Sequence, residues 1–262
     1  MGLLFNFSYS HTPQFKPMFF KFDDLGEKTI NKIAEVALST KLDKRDKLVV
    51  KVKTDPNLLA KGTLESLVID CQGLMVENAL RMESINITLN TIAVSPFKAL
   101  TGNIQLTQPS RGKACVLLTE KDITRVLDRA ILRNRQHEIV IDEKVIKVRL
   151  QQVNCNLLDT GKILIEGTVK LKDTEDIKQV SLEIKPKICQ AGNGVIVDDI
   201  EYLEEPHLSS ILLNPILEEA KSILNLKNFK VDGFSLKVKE FNIKKGALQL
   251  QAEAGMTHFP TA

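Results

Sequence analysis

No stretch of this 262-residue chain holds the run of about 18 apolar residues that a membrane-spanning helix needs, so nothing in it reads as a span. Paired cysteines are also missing. Cys71, Cys115, Cys155 and Cys189 are widely separated and form no CxxC pair, which reads as reduced, buried or half-buried thiols in a reducing compartment. The histidines, His11, His137, His207 and His258, are single and scattered. Without HExxH or a cysteine pair, no zinc site is expected and no metal or other cofactor is implied. There is no GxSxG elbow, and the Gly192 and Gly194 of AGNGV are followed by neither a third glycine nor a helical pattern, so that pair reads as a turn. A concentrated basic excess is lacking too: 36 basic residues stand against 33 acidic ones, a net charge of +3, and the strand lysines are not interleaved with aromatics. Nucleic acid is therefore not an expected partner.

What is present is an ordinary globular composition, 43% hydrophobic and 26% charged. A chain of this length buries roughly three quarters of the surface its unfolded form exposes, and needs no staple to fold. Seven of its 13 Phe and Tyr residues crowd the opening MGLLFNFSYSHTPQFKPMFFKF, ahead of the first acid, Asp23. That leader has no basic n-region, its apolar run is broken by Asn6, Ser8 and Ser10, and Asn6 stands where a myristoylation motif wants Ser or Thr. Two readings of it stay open. Phe5, Phe7, Phe19 and Phe20, flanked by Lys16 and Lys21, suit an interfacial membrane contact; alternatively Phe19, Phe20 and Phe22 pack onto the fold. The chain reads as cytoplasmic, soluble or peripheral on a membrane, with residues 1–22 an extension, 23–255 one continuous domain and 256–262 a tail.

Past Asp23 the apolar residues Ile30, Ile33, Ala34, Ala37 and Leu38 recur at helical steps. KLVVKVKT, TLESLVIDC and MESINITLNTIAV then alternate as one-sided antiparallel strands. GKACVLLTEKDITRVLD turns from strand to helix at Thr119, which stands at capping-box spacing from Asp122. The helix carries Ile123, Val126, Leu127, Ala130 and Ile131 on its apolar face. Next come KVIKVRLQQVNCNLL and KILIEGTVKL, joined through Asp159, Thr160 and Gly161 as a hairpin. VSLEIKPKI is expected as a further strand whose far end Pro186 confines to a sheet edge. The acids Asp198, Asp199, Glu201, Glu204 and Glu205 read as a solvated loop, since they lack the spacing of a calcium site. From near His207 a third helix is apolar over a broad arc, through Ile211, Leu212, Ile216, Leu217, Ile223 and Leu224, with Pro215 inside it. A closing hairpin turns over Lys244, Lys245 and Gly246. The succession of one-sided strands and a few helices is α+β.

Two stretches, TDPNLLAKGTLESLVIDCQGLMVENALRMESINITL and RGKACVLLTEKDITRVLD with its LTEKDI turn, resemble the LmeA-like phospholipid-binding family of bacteria, over about residues 24 to 253. The resemblance implies a relative of tubular lipid-binding folds: α+β, with a curved antiparallel β-sheet wrapped around a long helix and shorter helices beside it. It implies a phospholipid or other acyl lipid as partner and non-enzymatic binding or transfer at a membrane surface. It brings no catalytic residues. The pocket residues expected from apolar periodicity are Ile30, Ile33, Ala37, Ile211, Leu212, Ile216, Leu217 and Ile223. Arg125, Arg129 and Arg133, four apart on one helix, form a row that either holds lipid phosphates or is simply a solvated face beside Asp122 and Asp128. The alternative to a lipid carrier is a membrane-peripheral scaffold with a solid core, its protein partner unknown; an enzyme acting on lipid ranks below both.

Overall fold

A computed structural model describes residues 27–39, 42, 44–76, 80–95, 106–133, 136–141, 144–172, 174–190, 195–224 and 233–258. In chain order these form α1 (Glu27–Ser39), β1 (Lys47–Lys53), α2 (Pro56–Ala60), β2 (Thr63–Val76), β3 (Leu80–Ala93), β4 (Ser110–Thr119) and α3 (Glu120–Arg133). There follow β5 (Gln136–Ile141), β6 (Lys144–Leu157), β7 (Ile163–Leu171), β8 (Ile177–Ile188), β9 (Val195–Glu204), α4 (Pro206–Leu224), β10 (Phe234–Lys244) and β11 (Ala247–Met256). The strands make two antiparallel sheets. One has six strands in the order β1-β2-β3-β4-β11-β10, the other five in the order β5-β6-β7-β8-β9.

Alternation decides which face of each strand is buried. In β11, Leu248, Leu250, Ala252, Ala254 and Met256 are buried, while Gln249, Gln251 and Glu253 face solvent. The register carries that face across the six-stranded sheet, because partners opposite each other point the same way. Cys71 stands opposite Ile85, Ile85 opposite Val116, and Val116 opposite Leu250. The five-stranded sheet offers a matching inner face through Val153, Cys155 and Leu157 of β6, Ile163, Ile165 and Val169 of β7, and Val180, Leu182 and Ile184 of β8. These residues, with the apolar faces of α3 and α4, form one hydrophobic core. Cutting a buried leucine such as Leu67, Leu150 or Leu182 back to alanine costs about 2–5 kcal/mol in cores of this kind.

Helix α3 ties the sheets together. Thr119 ends β4 and caps the helix: its amide and hydroxyl donate to Asp122 Oδ2 at 3.0 and 2.7 Å, and the Asp122 amide donates back to Thr119 Oγ1 at 3.3 Å. Toward the six-stranded sheet, Arg81 of β3 donates to Asp122 Oδ1 at 3.2 Å. Toward the five-stranded sheet, Glu120 accepts from the Leu157 amide at 2.8 Å and Thr124 from the Cys155 amide at 3.1 Å. Two hairpin turns close the same end. Gly161 (φ 80°) and Gly246 (φ 85°) supply the left-handed residues those turns need, and Asp159 Oδ1 accepts from the Lys245 amide at 2.9 Å.

The architecture corrects several expectations. The described residues are mostly strand, with four short helices, and no sheet wraps around a long helix. The broad apolar arc of α4 has another cause. Leu212, Leu213 and Ile216 are buried where the helix meets α3 on one side and β8 and β9 on the other. Pro186 lies beyond the end of β7, whose pairing with β8 stops at Ile163 opposite Ile184, so it has β9 alone beside it and stands on an unpaired side of the sheet, as expected of a residue with no N–H to give. It faces Val197, where the register shifts between Lys185 and Pro186. Asp198, Asp199, Glu201 and Glu204 belong to the edge strand β9 rather than to a loop, and Lys187, Lys162 and Lys178 pair with Asp198, Glu201 and Glu205. The strand β5 and the short helix α2 were not expected. Asp55 caps α2, its Oδ1 accepting from the amides of Asn57 and Leu58 at 2.8 and 2.9 Å.

Candidate functional site

Where α3, α4 and the two sheets converge, the core does not close. A cavity of about 700 Å³, counting its open mouth, remains at the junction. Six elements and one edge strand build its wall, each by its own periodicity. The six-stranded sheet contributes Leu118 of β4 and Leu248 and Leu250 of β11. The five-stranded sheet contributes alternate residues, Ile163 and Ile165 of β7 and Ile184 and Pro186 of β8. The helices contribute one face each, Ile123 and Leu127 of α3, and Leu217, Ala220 and Lys221 of α4. Ile196 and Val197 of β9 complete the wall. Among the described residues every lining side chain is apolar except Lys221. Ligand pockets have mostly apolar walls, so this space has the character for a hydrocarbon guest.

A second apolar cavity, about 320 Å³ in the same measure, lies over the same face of the six-stranded sheet. Leu38 of α1, Leu42, and Ile69, Cys71, Leu74, Ile85, Ile87 and Phe234 line it. In register, Ile85 and Leu250 are separated by Val116 alone, so the two cavities are floored about 10 Å apart, two strand spacings.

Ionisable groups near the site are structural in their bonding. Burial pushes the Cys71 thiol up to about 11 and the Cys155 thiol to about 12, the latter helped by nearby Glu120. Both are therefore protonated and poorly nucleophilic. Hydrogen bonds from Arg81 to Glu83 (2.6 Å) and Asp46 (2.8 Å), and then to Asp122, hold its guanidinium firmly in the charged form. Asp128, on the exposed face of α3, is only slightly desolvated, which raises its pKa. Among the described residues no group of three or more His, Cys, Asp or Glu could hold a metal ion, and no helix is long and apolar enough to cross a membrane.

Residues 22–253 match the family of LmeA-like phospholipid-binding proteins. The chain belongs to that family. No curated protein matches it. In this LmeA-like chain the residues singled out from sequence scatter over several environments. Leu217 lines the larger cavity. Leu212 and Ile216 are buried without lining either cavity, and Ile211 is half-buried against the core. Ile30, Ile33, Ala37 and Ile223 lie in α1 and α4, but their side chains are outside the described residues, as is that of Arg133. Phe5, Phe7, Phe19 and Phe20 are outside the described residues altogether. Arg125 lies 3.9 Å from Asp122 Oδ1, and Arg129 is exposed. Neither lines a cavity. The strand residues of the larger cavity, Ile163, Ile165, Ile184, Leu248 and Leu250, were legible only as members of buried faces. Their alternation marks an inner side, and nothing in it distinguishes a filled interior from one that stops short.

Proposed function

We propose that this protein is a non-enzymatic phospholipid carrier that admits acyl chain into the cavity between its two sheets and exchanges lipid at a membrane surface to which it binds peripherally. The observation that carries the reading is the cavity itself: an apolar space, open at its mouth, at the junction of α3, α4 and both sheets, in a member of a phospholipid-binding family. Moving methylenes from water into such a space contributes about 0.8 kcal/mol each, which favours entry of an acyl chain. A binding rather than catalytic role is supported by the wall, where the described residues pair no nucleophile with a base and Lys221 is their one ionisable group.

The test is lipid content and its dependence on free space. Native mass spectrometry and solvent extraction of the purified chain are expected to show co-purifying phospholipid, and labelled phospholipid to move between vesicles in its presence. Ala220→Phe, which sets a ring into the cavity, is expected to remove most of both while the circular dichroism spectrum and cooperative melting are retained. A chain that carries no lipid and binds no fluorescent analogue, or an Ala220→Phe variant that loads lipid as well as the parent, would refute the proposal.

A further inference from the structure

Among the described residues Lys221 is the one charged member of the wall of the larger cavity, and its place gives the site a direction. It sits in the last turn of α4, one turn beyond Leu217 on the same face. Its side chain is 33% exposed, so the aliphatic stem lies on the apolar wall while the ammonium reaches water. The ammonium donates to Glu218 Oε1 at 2.6 Å. Glu218 is 70% exposed, and an ion pair that open contributes about 1 kcal/mol or less. Exchanging it for another anion costs correspondingly little.

A second lining residue is also distinctive. Ile196 of β9 is 45% exposed although it lines the cavity. Its neighbour Val197 stands opposite Pro186, which has no N–H for the ladder and lies at a register shift. The ladder of β8 and β9 is thus irregular beside this part of the wall. An exposed apolar side chain and a cation on a flexible stem in the wall of one cavity match the two halves of an amphiphile.

Resting on the reading that the cavity takes acyl chain, we infer that Lys221 is a phosphate subsite: with the chain inside, the phosphate ester of the lipid lies beside the Lys221 ammonium, displacing Glu218. The chemistry recognised is a phosphate mono- or diester on a lipid. A free phosphate offers the same anion without the apolar half.

The full chain is titrated with diacylglycerol and with phosphatidylglycerol of identical acyl chains, each in neutral detergent micelles, and with inorganic phosphate as competitor. The parent is expected to bind the phospholipid about tenfold tighter than diacylglycerol. Lys221→Ala is expected to bring that ratio near one, Lys221→Arg to preserve most of it, and rising salt to shrink it. Melting curves of both variants establish that they fold. Inorganic phosphate at millimolar concentration is expected not to compete. Equal binding of the two lipids by the parent, an unchanged ratio in Lys221→Ala, or full competition by inorganic phosphate would overturn the assignment of Lys221 while leaving the cavity reading intact. A parent that binds neither lipid would overturn both.

Discussion

Replacing Asp122 by alanine tests the joint that fixes α3 to the six-stranded sheet. Its carboxylate is 1% exposed and accepts from the Thr119 amide and hydroxyl and from Arg81. Losing the reciprocal cap costs about 1 kcal/mol. Removing one partner of a buried ion pair costs about 3–5 kcal/mol when the other charge is stranded. Arg81 is not stranded, because it is 21% exposed and keeps Asp46 and Glu83, so about 2 kcal/mol is the apt share. The sum, about 3 kcal/mol, corresponds to a fall in melting temperature of about 9 °C for a chain of this size. Urea denaturation followed by circular dichroism reads it as a drop in the midpoint at constant slope. Asp122→Asn, which keeps an oxygen for the Thr119 donors but gives up the charge, is expected to lose about half as much. A loss below about 1 kcal/mol in Asp122→Ala would refute the account of α3 as a capped, charge-tied bridge. Because Ile123 and Leu127 line the larger cavity from this same helix, the variant is also expected to retain less lipid in step with its stability.

Two glycines on one sheet are expected to respond differently to alanine. At Gly112 a Cβ would stand 1.8 Å from the Thr88 carbonyl oxygen, which is backbone in the partner strand and cannot yield, so Gly112→Ala is expected to cost more than about 3 kcal/mol and to cut soluble yield. At Gly73 the near atom is the flexible, exposed Asp46 carboxylate at 2.0 Å; there the φ of 64° dominates, and about 1–2 kcal/mol is expected from chemical denaturation. The cysteines make a pH prediction. Folding raises Cys71 to about 11 and Cys155 to about 12 from an ordinary value near 9.0. The folded state therefore holds its thiol protons where the unfolded chain releases them, so their contribution is whole below pH 9 and is lost as pH climbs toward 11 and 12. At pH 8, a thiol reagent is expected to modify the partly exposed Cys115 and Cys189 well before Cys71 and Cys155, read by mass spectrometry of timed samples. Simultaneous labelling of all four would contradict the burial.

Local chemistry was legible wherever a residue acts on its chain neighbours. Thr119 and Asp122 announced a helix start at capping-box spacing, and the cap forms as read. Asp159 to Gly161 and Lys244 to Gly246 announced hairpins, and both turns close with a left-handed glycine. Pro186 was read as marking a sheet edge, and it lies past the end of β7, paired with β9 alone at a register shift. The apolar arc of α4 was ambiguous. A helix wrapped by a sheet and a helix lodged among α3, β8 and β9 require the same residues, and only the strand order distinguishes them.

The sequence alone therefore determined the elements that periodicity and capping control: one-sided antiparallel strands, an α3 that begins at Thr119, an apolar α4, and membership in a phospholipid-binding family. Those signals act within a few residues of their source, through hydrogen bonds and side-chain direction. Tertiary structure decided the division into a six-stranded and a five-stranded sheet, the fixing of α3 to the first through Asp122 and Arg81 and to the second through Glu120 and Thr124, and the cavity at their junction. These depend on how much volume is left when separate surfaces meet. Ile163, Ile184, Leu217 and Leu250 become one wall only after strands more than eighty residues apart have been brought together, and whether such a wall encloses space is a property of the assembled surfaces rather than of any stretch of chain.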